Sequence, residues 1–255
     1  MTPSSSRPRQ RRNVLDKIKV ACLGGCIGSG NTHHHRINYG SYVMKGKTNH
    51  AMEDHIVCEV KRIKEHALGL FAIFDGHLGH AVSCYLQANL FNNILDQPAF
   101  WTDPSLAITN GYLQTDAAIL QQSAELGDGG STALTAIVID CASVYIANVG
   151  DSRAVLCRAG DVPRVNGQLA VARAFGDKNL KAHLRSDPDV YCLLIQKTDE
   201  FLILASDGLW KVIENQAAVD LVKRTKDAKA AAKQLVDYAI RQNSKDDISC
   251  IVIRF

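Results

Sequence analysis

Short apolar segments that adjoin aspartates are the feature of this sequence that most restricts its fold. The run Leu68–Phe74 leads into Asp75, and Phe201–Ala205 is followed two residues later by Asp207. Runs of this length and composition predict β-strands rather than helices. Each aspartate then falls at a strand end, where a turn begins.

Further runs extend this pattern along the chain. Strands are predicted at 55–63, 68–74, 132–139, 144–149, 154–157, 201–205 and 248–253. Helices are predicted at about 81–95, from Asp103 (an N-cap before Pro104), and twice between 205 and 248. Because the strands cluster in runs with helices between the runs, the pattern indicates an α+β fold rather than repeated βαβ units.

Composition and charge exclude several classes of protein. The chain has 255 residues and a net charge of +3, which gives little attraction for a nucleic acid. No apolar run reaches the roughly 20 residues of a spanning helix. Residues 1–36, rich in Arg and then Gly, are predicted to form a flexible arm before one domain at 37–255. Nuclear import or organelle targeting by the arm is the alternative.

The expected compartment and assembly follow from what the sequence lacks. Cysteines such as Cys157 and Cys250 stand singly in apolar runs, as in a reduced compartment. The start of the chain does not have the pattern of a secretory signal. We therefore expect the cytoplasm, the nucleus or both, and a monomer as the default state.

Five aspartates at strand ends carry the chemical argument: Asp54, Asp75, Asp151, Asp207 and Asp246. Each alone is well explained as a turn former. If the strands share a sheet, however, the carboxylates converge and repel one another, and each raises the pKa of its neighbours. No matching set of lysines or arginines occurs in these motifs, so a divalent metal is the expected partner.

Ligands that are all oxygen favour hard ions such as Mg²⁺ or Mn²⁺. Two such ions can activate one water molecule for attack on phosphorus. The residues therefore predict hydrolysis of a phosphoester and leave the substrate open.

Eight motifs occur in order along the chain: NHAMEDHIV, FAIFDGHLGH, GGSTALTAIVID, VYIANVGDSRAVL, QLAVARAFGD, SDPDV, FLILASDGLWKVI and SKDDISCIVI. Together they resemble the type 2C metal-dependent protein phosphatases, especially the plant branch with DGHLGH, from Tyr39 to Phe255. The resemblance implies a four-layer α-β-β-α sandwich of two antiparallel sheets. It also implies hydrolysis of phosphoserine and phosphothreonine in proteins, with two Mg²⁺ or Mn²⁺ ions and the weak third ion of some members. Kinases are possible further partners.

The resemblance also implies roles for individual residues. The implied metal ligands are Asp54, Asp75 (shared by both ions), the carbonyl of Gly76, Asp207 and Asp246. Glu53 would hold a water molecule at the metal, and Asp151 would bind the weaker third ion. His77 is the expected general acid for the leaving alkoxide, because a serine alkoxide needs a proton to leave. The alternative for His77 is that it orders the start of the following helix through an aspartate.

The sequence departs from the family pattern at positions near the substrate. The family often has an arginine before the MED motif, and here Lys47 is the best substitute. A lysine cannot make the planar two-point contact of a guanidinium with phosphate. Lys211 stands where the family often has an aspartate. The lysine would weaken a third metal site built on that position. Arg173 and Asp177 could border the substrate groove or be structural.

The largest departure from the family is a missing segment after Gly160, where members continue through a strand, a DH-x-P motif and a helix. Losing these elements can expose a sheet edge and part of the core. A binding module with the same fold and impaired catalysis is therefore the alternative to an active phosphatase. A metal-dependent nuclease ranks last because of the nearly neutral charge.

Overall fold

A computed structural model describes residues 37–161, 173–181 and 184–255. The strands are β1 (Asn38–Met44), β2 (His55–Ile63), β3 (His66–Phe74), β4 (Gly76–His77), β5 (Gly130–Ser131), β6 (Ala133–Ile139), β7 (Ser143–Val149), β8 (Arg153–Arg158), β9 (Phe175–Gly176), β10 (Asp189–Leu194), β11 (Asp199–Ala205) and β12 (Ile248–Arg254). The α-helices are α1 (Ala81–Leu95), α2 (Pro104–Gln121), α3 (Ser123–Leu126), α4 (Asp207–Trp210), α5 (Asn215–Val222) and α6 (Ala228–Arg241). The predicted arm at residues 1–36 lies outside the described residues.

Two main sheets form the centre of the fold. One has four strands in the order β1-β12-β11-β8, and the other has five in the order β10-β7-β6-β3-β2. A small third sheet has the strand order β4-β5-β9. Its strands come from three places in the sequence: directly after Asp75, just before β6, and within residues 173–181. Every pairing between these strands is antiparallel within the described residues.

Alternation along the central strands creates the layers. In β3, Leu70, Ala72 and Phe74 pack with α1 and α2, whereas Phe71 and Ile73 point toward the other sheet. Residues of both sheets share this middle core: Phe71, Ile73, Leu134, Leu202, Leu204, Ile251 and Ile253. The outer face of the four-stranded sheet packs with α5 and α6. The predicted four-layer α-β-β-α arrangement is therefore confirmed.

The helices begin where the sequence indicates. The carboxylate of Asp103 accepts a hydrogen bond from the backbone N–H of Leu106 (3.1 Å), and Pro104 opens α2, so the predicted N-cap is confirmed. The described helices include none that is both long and apolar enough to cross a membrane.

The antiparallel registers bring distant parts of the chain to one end of the sandwich. In the five-stranded sheet, His55 pairs with Phe74, so the start of β2 lies beside the end of β3. In the four-stranded sheet, Ala205 pairs with both Cys250 and Arg153, so the end of β11 lies beside the starts of β12 and β8. All five candidate aspartates lie at or next to these strand ends.

Candidate metal centre and active site

A cleft of about 760 Å³ opens at this end of the sandwich. The candidate residues that line it are Glu53, Asp75, Gly76, His77, Asp151, Asp207 and Asp246. Carboxylate oxygens of Asp75, Asp151 and Asp207 lie within 4.8 Å of one another, although the three residues are far apart in sequence. The structure thus brings together most of the residues that the sequence analysis selected.

Asp75 is fixed at the centre of the cleft by its backbone. Its N–H donates to the hydroxyl of Thr132 (3.2 Å), and its carbonyl accepts from the N–H of Thr132 (2.8 Å) and the hydroxyl of Ser131 (3.1 Å). The Thr132 hydroxyl also contacts the Ser152 hydroxyl (3.1 Å), next to Asp151. Thr132, which directly follows β5, therefore sets the position of Asp75 relative to the β7–β8 turn.

Burial and electrostatic repulsion together raise the pKa values of acids in the cleft. Burial, followed by the charges of Asp54 and Asp207, raises the pKa of Asp75 from 3.8 to about 9. Burial also raises the pKa of Asp207, and the ammonium of Lys211 offsets part of that rise. Without a compensating cation, Asp75 binds a proton at neutral pH.

Asp54 lies beneath the cleft rather than in its lining. The residue is 6% exposed, and neither carboxylate oxygen has a hydrogen-bond partner within the described residues. Burial raises its pKa to about 7; Asp247 and Asp246 add to this, and the nearby hydroxyls of Ser249 and Ser206 oppose it. A buried carboxylate without a partner is costly, and a cation is the group that would satisfy it.

Asp247 and Glu53 hold the loop before β2 in place. The buried carboxylate of Asp247 accepts from the backbone N–H groups of Gly46 (2.7 Å) and Glu53 (2.8 Å). The Glu53 carboxylate in turn accepts from the N–H of Gly79 (2.8 Å). Asp247 is therefore occupied by the backbone, which leaves Asp246 as the more available acid of the pair.

Lys211 is a cation that the sequence argument did not expect beside these acids. Its ammonium nitrogen lies 2.7 Å from Oδ2 of Asp207 and 2.9 Å from Oδ2 of Asp246. Burial lowers its pKa, but the two carboxylates outweigh this and raise the pKa above its ordinary value. The expectation that no lysine balances the strand-end aspartates is therefore wrong for two of them.

His77 has a carboxylate partner 100 residues away in sequence. Its Nε2 lies 2.9 and 3.0 Å from the two oxygens of Asp177, which is 5% exposed and has a left-handed φ of 49°. A Cβ at position 130 would lie 2.3 Å from Oδ2 of Asp177 and 2.7 Å from Nε2 of His77. Gly130 thus leaves the space in which the pair forms.

Two residues near the substrate differ in placement. Lys47 is exposed and is not a lining residue of the cleft; its backbone N–H donates to the carbonyl of Lys245 (2.8 Å). Its role in binding phosphate stays a prediction without support from the geometry. Arg173 does line the cleft, and its Nη1 lies 2.6 Å from Oδ2 of Asp189. His50, which the sequence analysis did not select, also lines the cleft, with Nδ1 3.6 Å from Oε2 of Glu53.

The donor set fits divalent metal ions. The cleft offers carboxylate oxygens, Gly76 also lines it, and no thiol occurs among its described lining residues; such oxygen-rich sets suit Mg²⁺ and Mn²⁺. The buried carboxylate of Asp54, which has no hydrogen-bond partner in the described part of the chain, and the raised pKa of Asp75 are both relieved by positive charge.

Comparison with known proteins agrees with this geometry. The profile of the family "Protein phosphatase 2C" matches residues 40–163 and 160–248. "Probable protein phosphatase 2C 20" of Arabidopsis thaliana is 52% identical over 272 residues, which cover 94% of each chain. The crystal structure of a serine-threonine phosphatase 2C from Toxoplasma gondii superposes with a TM-score of 0.71 at 19% identity, covering 88% of this chain and 96% of that one. The last comparison shows the fold alone.

The alignment with a further relative is longer than this chain. "Probable protein phosphatase 2C 39" of A. thaliana is 46% identical over 288 positions, covering 100% of both chains, whereas this chain has 255 residues, a difference of 33. The two ranges of the family profile meet at residues 160–163. From the profile and from relatives about half identical over nearly their whole length, the chain belongs to the protein phosphatase 2C family of metal-dependent serine/threonine protein phosphatases.

Proposed function

We propose that this chain hydrolyses phosphoserine and phosphothreonine esters with two divalent cations, Mg²⁺ or Mn²⁺, held in the cleft at the sandwich end. The ligands in this proposal are Asp54, Asp75, the carbonyl of Gly76, Asp207 and Asp246. Glu53 orients water, and Asp151 is the ligand of a weaker third ion. Bound there, the ions would stabilise charge on the phosphoryl group and lower the pKa of the attacking water.

One observation carries this proposal. The carboxylate of Asp54 is buried with no hydrogen-bond partner among the residues that the structure describes, and its charge adds to the high pKa of Asp75 beside it. A fold that keeps two such acids together carries a cost that a bound cation removes. A purely structural origin for the cluster would instead be expected to pair the acids with hydrogen-bond donors, as Asp247 is paired.

The chain's own residues supply proton transfer. When Nε2 of His77 donates to the Asp177 carboxylate, Nδ1 is the ring nitrogen left to carry a proton to the leaving alkoxide. Asp177 also stabilises the charged imidazolium from which that proton comes. In this proposal Asp177 is a positioning residue and His77 is the general acid.

The direct test is turnover of a phosphothreonine peptide and of p-nitrophenyl phosphate by the full chain. We expect activity to disappear after chelation, to return with Mn²⁺ or Mg²⁺, and to be lost in Asp75→Asn. Asp96→Asn, at the exposed far end of α1, is the matched control. Activity that survives chelation would contradict the proposal.

A second candidate is a binding module with impaired catalysis, in which the chain still engages phosphoproteins or kinases. The observation that favours it is that the family profile matches two ranges that meet at residues 160–163, where the sequence analysis expects a missing family segment. Inserting the corresponding segment of the A. thaliana relative separates the two candidates. Activity that appears only after the insertion favours the binding module, whereas equal activity with and without it favours the phosphatase.

A further inference from the structure

Lys211 occupies a position that the proposed chemistry does not use. It directly follows α4, whose first residue is Asp207, and its backbone N–H donates to the carbonyl of Asp207 (2.8 Å). This turn of helix directs the side chain back over its own N-terminal acid, at the spacing that favours an ion pair. The ammonium also reaches across to Asp246 at the start of β12.

The two ion pairs engage the oxygens that a metal would need. Oδ2 of Asp246 lies 2.9 Å from the ammonium, while its Oδ1 accepts from the N–H of Asp247 (3.0 Å). Oδ2 of Asp207 is 2.7 Å from the ammonium. A divalent ion bound by Asp207 and Asp246 therefore shares both carboxylates with Lys211.

Lys211 contacts two lining acids without lining the cleft itself, and no cation among the described lining residues takes its place. Arg173 is paired with Asp189, outside the group of acids, and His50 lies beside Glu53. Lys211 is 57% exposed, so water screens its charge but does not remove it. It partly neutralises two acids before metal binds and repels a metal that approaches them.

We propose that Lys211 is a built-in cation that stabilises the metal-free cleft and lowers its affinity for divalent metal. Asp207 and Asp246 are held together by the ammonium, so the site is arranged in advance of metal binding. The same positive charge repels a divalent metal ion that binds to Asp207 and Asp246. This inference rests on the proposed function, because it takes Asp207 and Asp246 to be metal ligands.

The experiment compares Lys211→Met, which keeps most of the apolar stem and removes the charge, with Lys211→Arg, which keeps the charge. Lys223→Met is the control, because Lys223 forms a similar but exposed ion pair with Asp220 (2.6 Å) away from the cleft. Two properties of the full chain are measured: the melting temperature after chelation, and the dissociation constant for Mn²⁺ by calorimetry.

We expect Lys211→Met to lower the metal-free melting temperature by about 2–4 °C and to tighten Mn²⁺ binding roughly tenfold, the scale of one screened charge near a divalent ion. Lys211→Arg should retain wild-type affinity to within about threefold, and Lys223→Met should change neither property. The saturation curve of phosphatase activity should shift to lower Mn²⁺ concentration in Lys211→Met.

The outcomes separate this inference from the function on which it rests. Unchanged or weaker Mn²⁺ binding by Lys211→Met, with normal binding by the wild type, overturns the role of Lys211 and leaves the metal centre in place. An absence of Mn²⁺ binding by the wild type overturns the metal centre itself, and the role of Lys211 falls with it.

Discussion

Replacing Asp75 with asparagine should stabilise the metal-free protein while abolishing its response to metal. Burial and neighbouring acids raise the pKa of Asp75 from 3.8 to about 9 in the fold. Between these two values the folded state binds a proton that the unfolded state has released. Metal-free stability therefore falls as pH rises through this window, and Asp75 makes no further contribution above about pH 9.

The size of the effect follows from the width of the window. At pH 7 about three pH units lie above the unfolded pKa, and each costs about 1.4 kcal/mol, so the upper bound is about 4 kcal/mol. Asparagine carries no charge and avoids this cost, but its amide needs partners in the same buried position. We expect a net gain of about 2 kcal/mol, which corresponds to a rise in melting temperature of about 4–8 °C.

The assay is thermal unfolding after chelation at pH 6, 7, 8 and 9, with and without added Mn²⁺. The gap between Asp75→Asn and wild type should widen up to about pH 9 in the metal-free samples, and Mn²⁺ should raise the melting temperature of the wild type alone. Asp96→Asn controls for the loss of an exposed carboxylate. A metal-free Asp75→Asn protein that melts below the wild type at every pH would refute the reasoning.

Three further substitutions test other contacts. Asp177→Asn should reduce turnover of a phosphothreonine peptide about 10- to 100-fold but affect p-nitrophenyl phosphate much less, because an aryl leaving group needs little protonation; equal losses on both substrates would argue against proton transfer by His77. Asp247→Ala strands the backbone N–H groups of Gly46 and Glu53, so urea denaturation should show a loss of about 2–4 kcal/mol; a loss below 1 kcal/mol would show that these bonds matter little. Tyr112→Phe removes a buried hydroxyl that contacts Thr135 (2.9 Å) and should cost about 1 kcal/mol with kcat unchanged; a fall in kcat would link this core position to the cleft.

Local elements could be predicted from the sequence because their signals are local. The apolar run 201–205 lies within β11 (Asp199–Ala205), and the helix predicted at 81–95 coincides with α1. The order of the strands could not be predicted in this way. The pairing of β1 with β12 joins the two ends of the described chain, and no local pattern encodes a partner so distant.

The candidate site shows the same division. The strand-end aspartates could be found because each follows or precedes a clear apolar run. The contact between His77 and Asp177 could not, because it depends on a left-handed backbone at Asp177 and on the space left by Gly130. The ion pairs of Lys211 required both the turn of α4 and the register of β12, which are known only from the fold.

The most direct test of the central claim is anomalous diffraction at the manganese absorption edge from crystals of the full chain grown with Mn²⁺. The account predicts two strong peaks in the cleft that share the carboxylate of Asp75, with Asp207 and Asp246 among the ligands, and no such peaks in Asp75→Asn. Crystals grown with saturating Mn²⁺ that show no peak in the cleft, or that show the ions away from these aspartates, would contradict it.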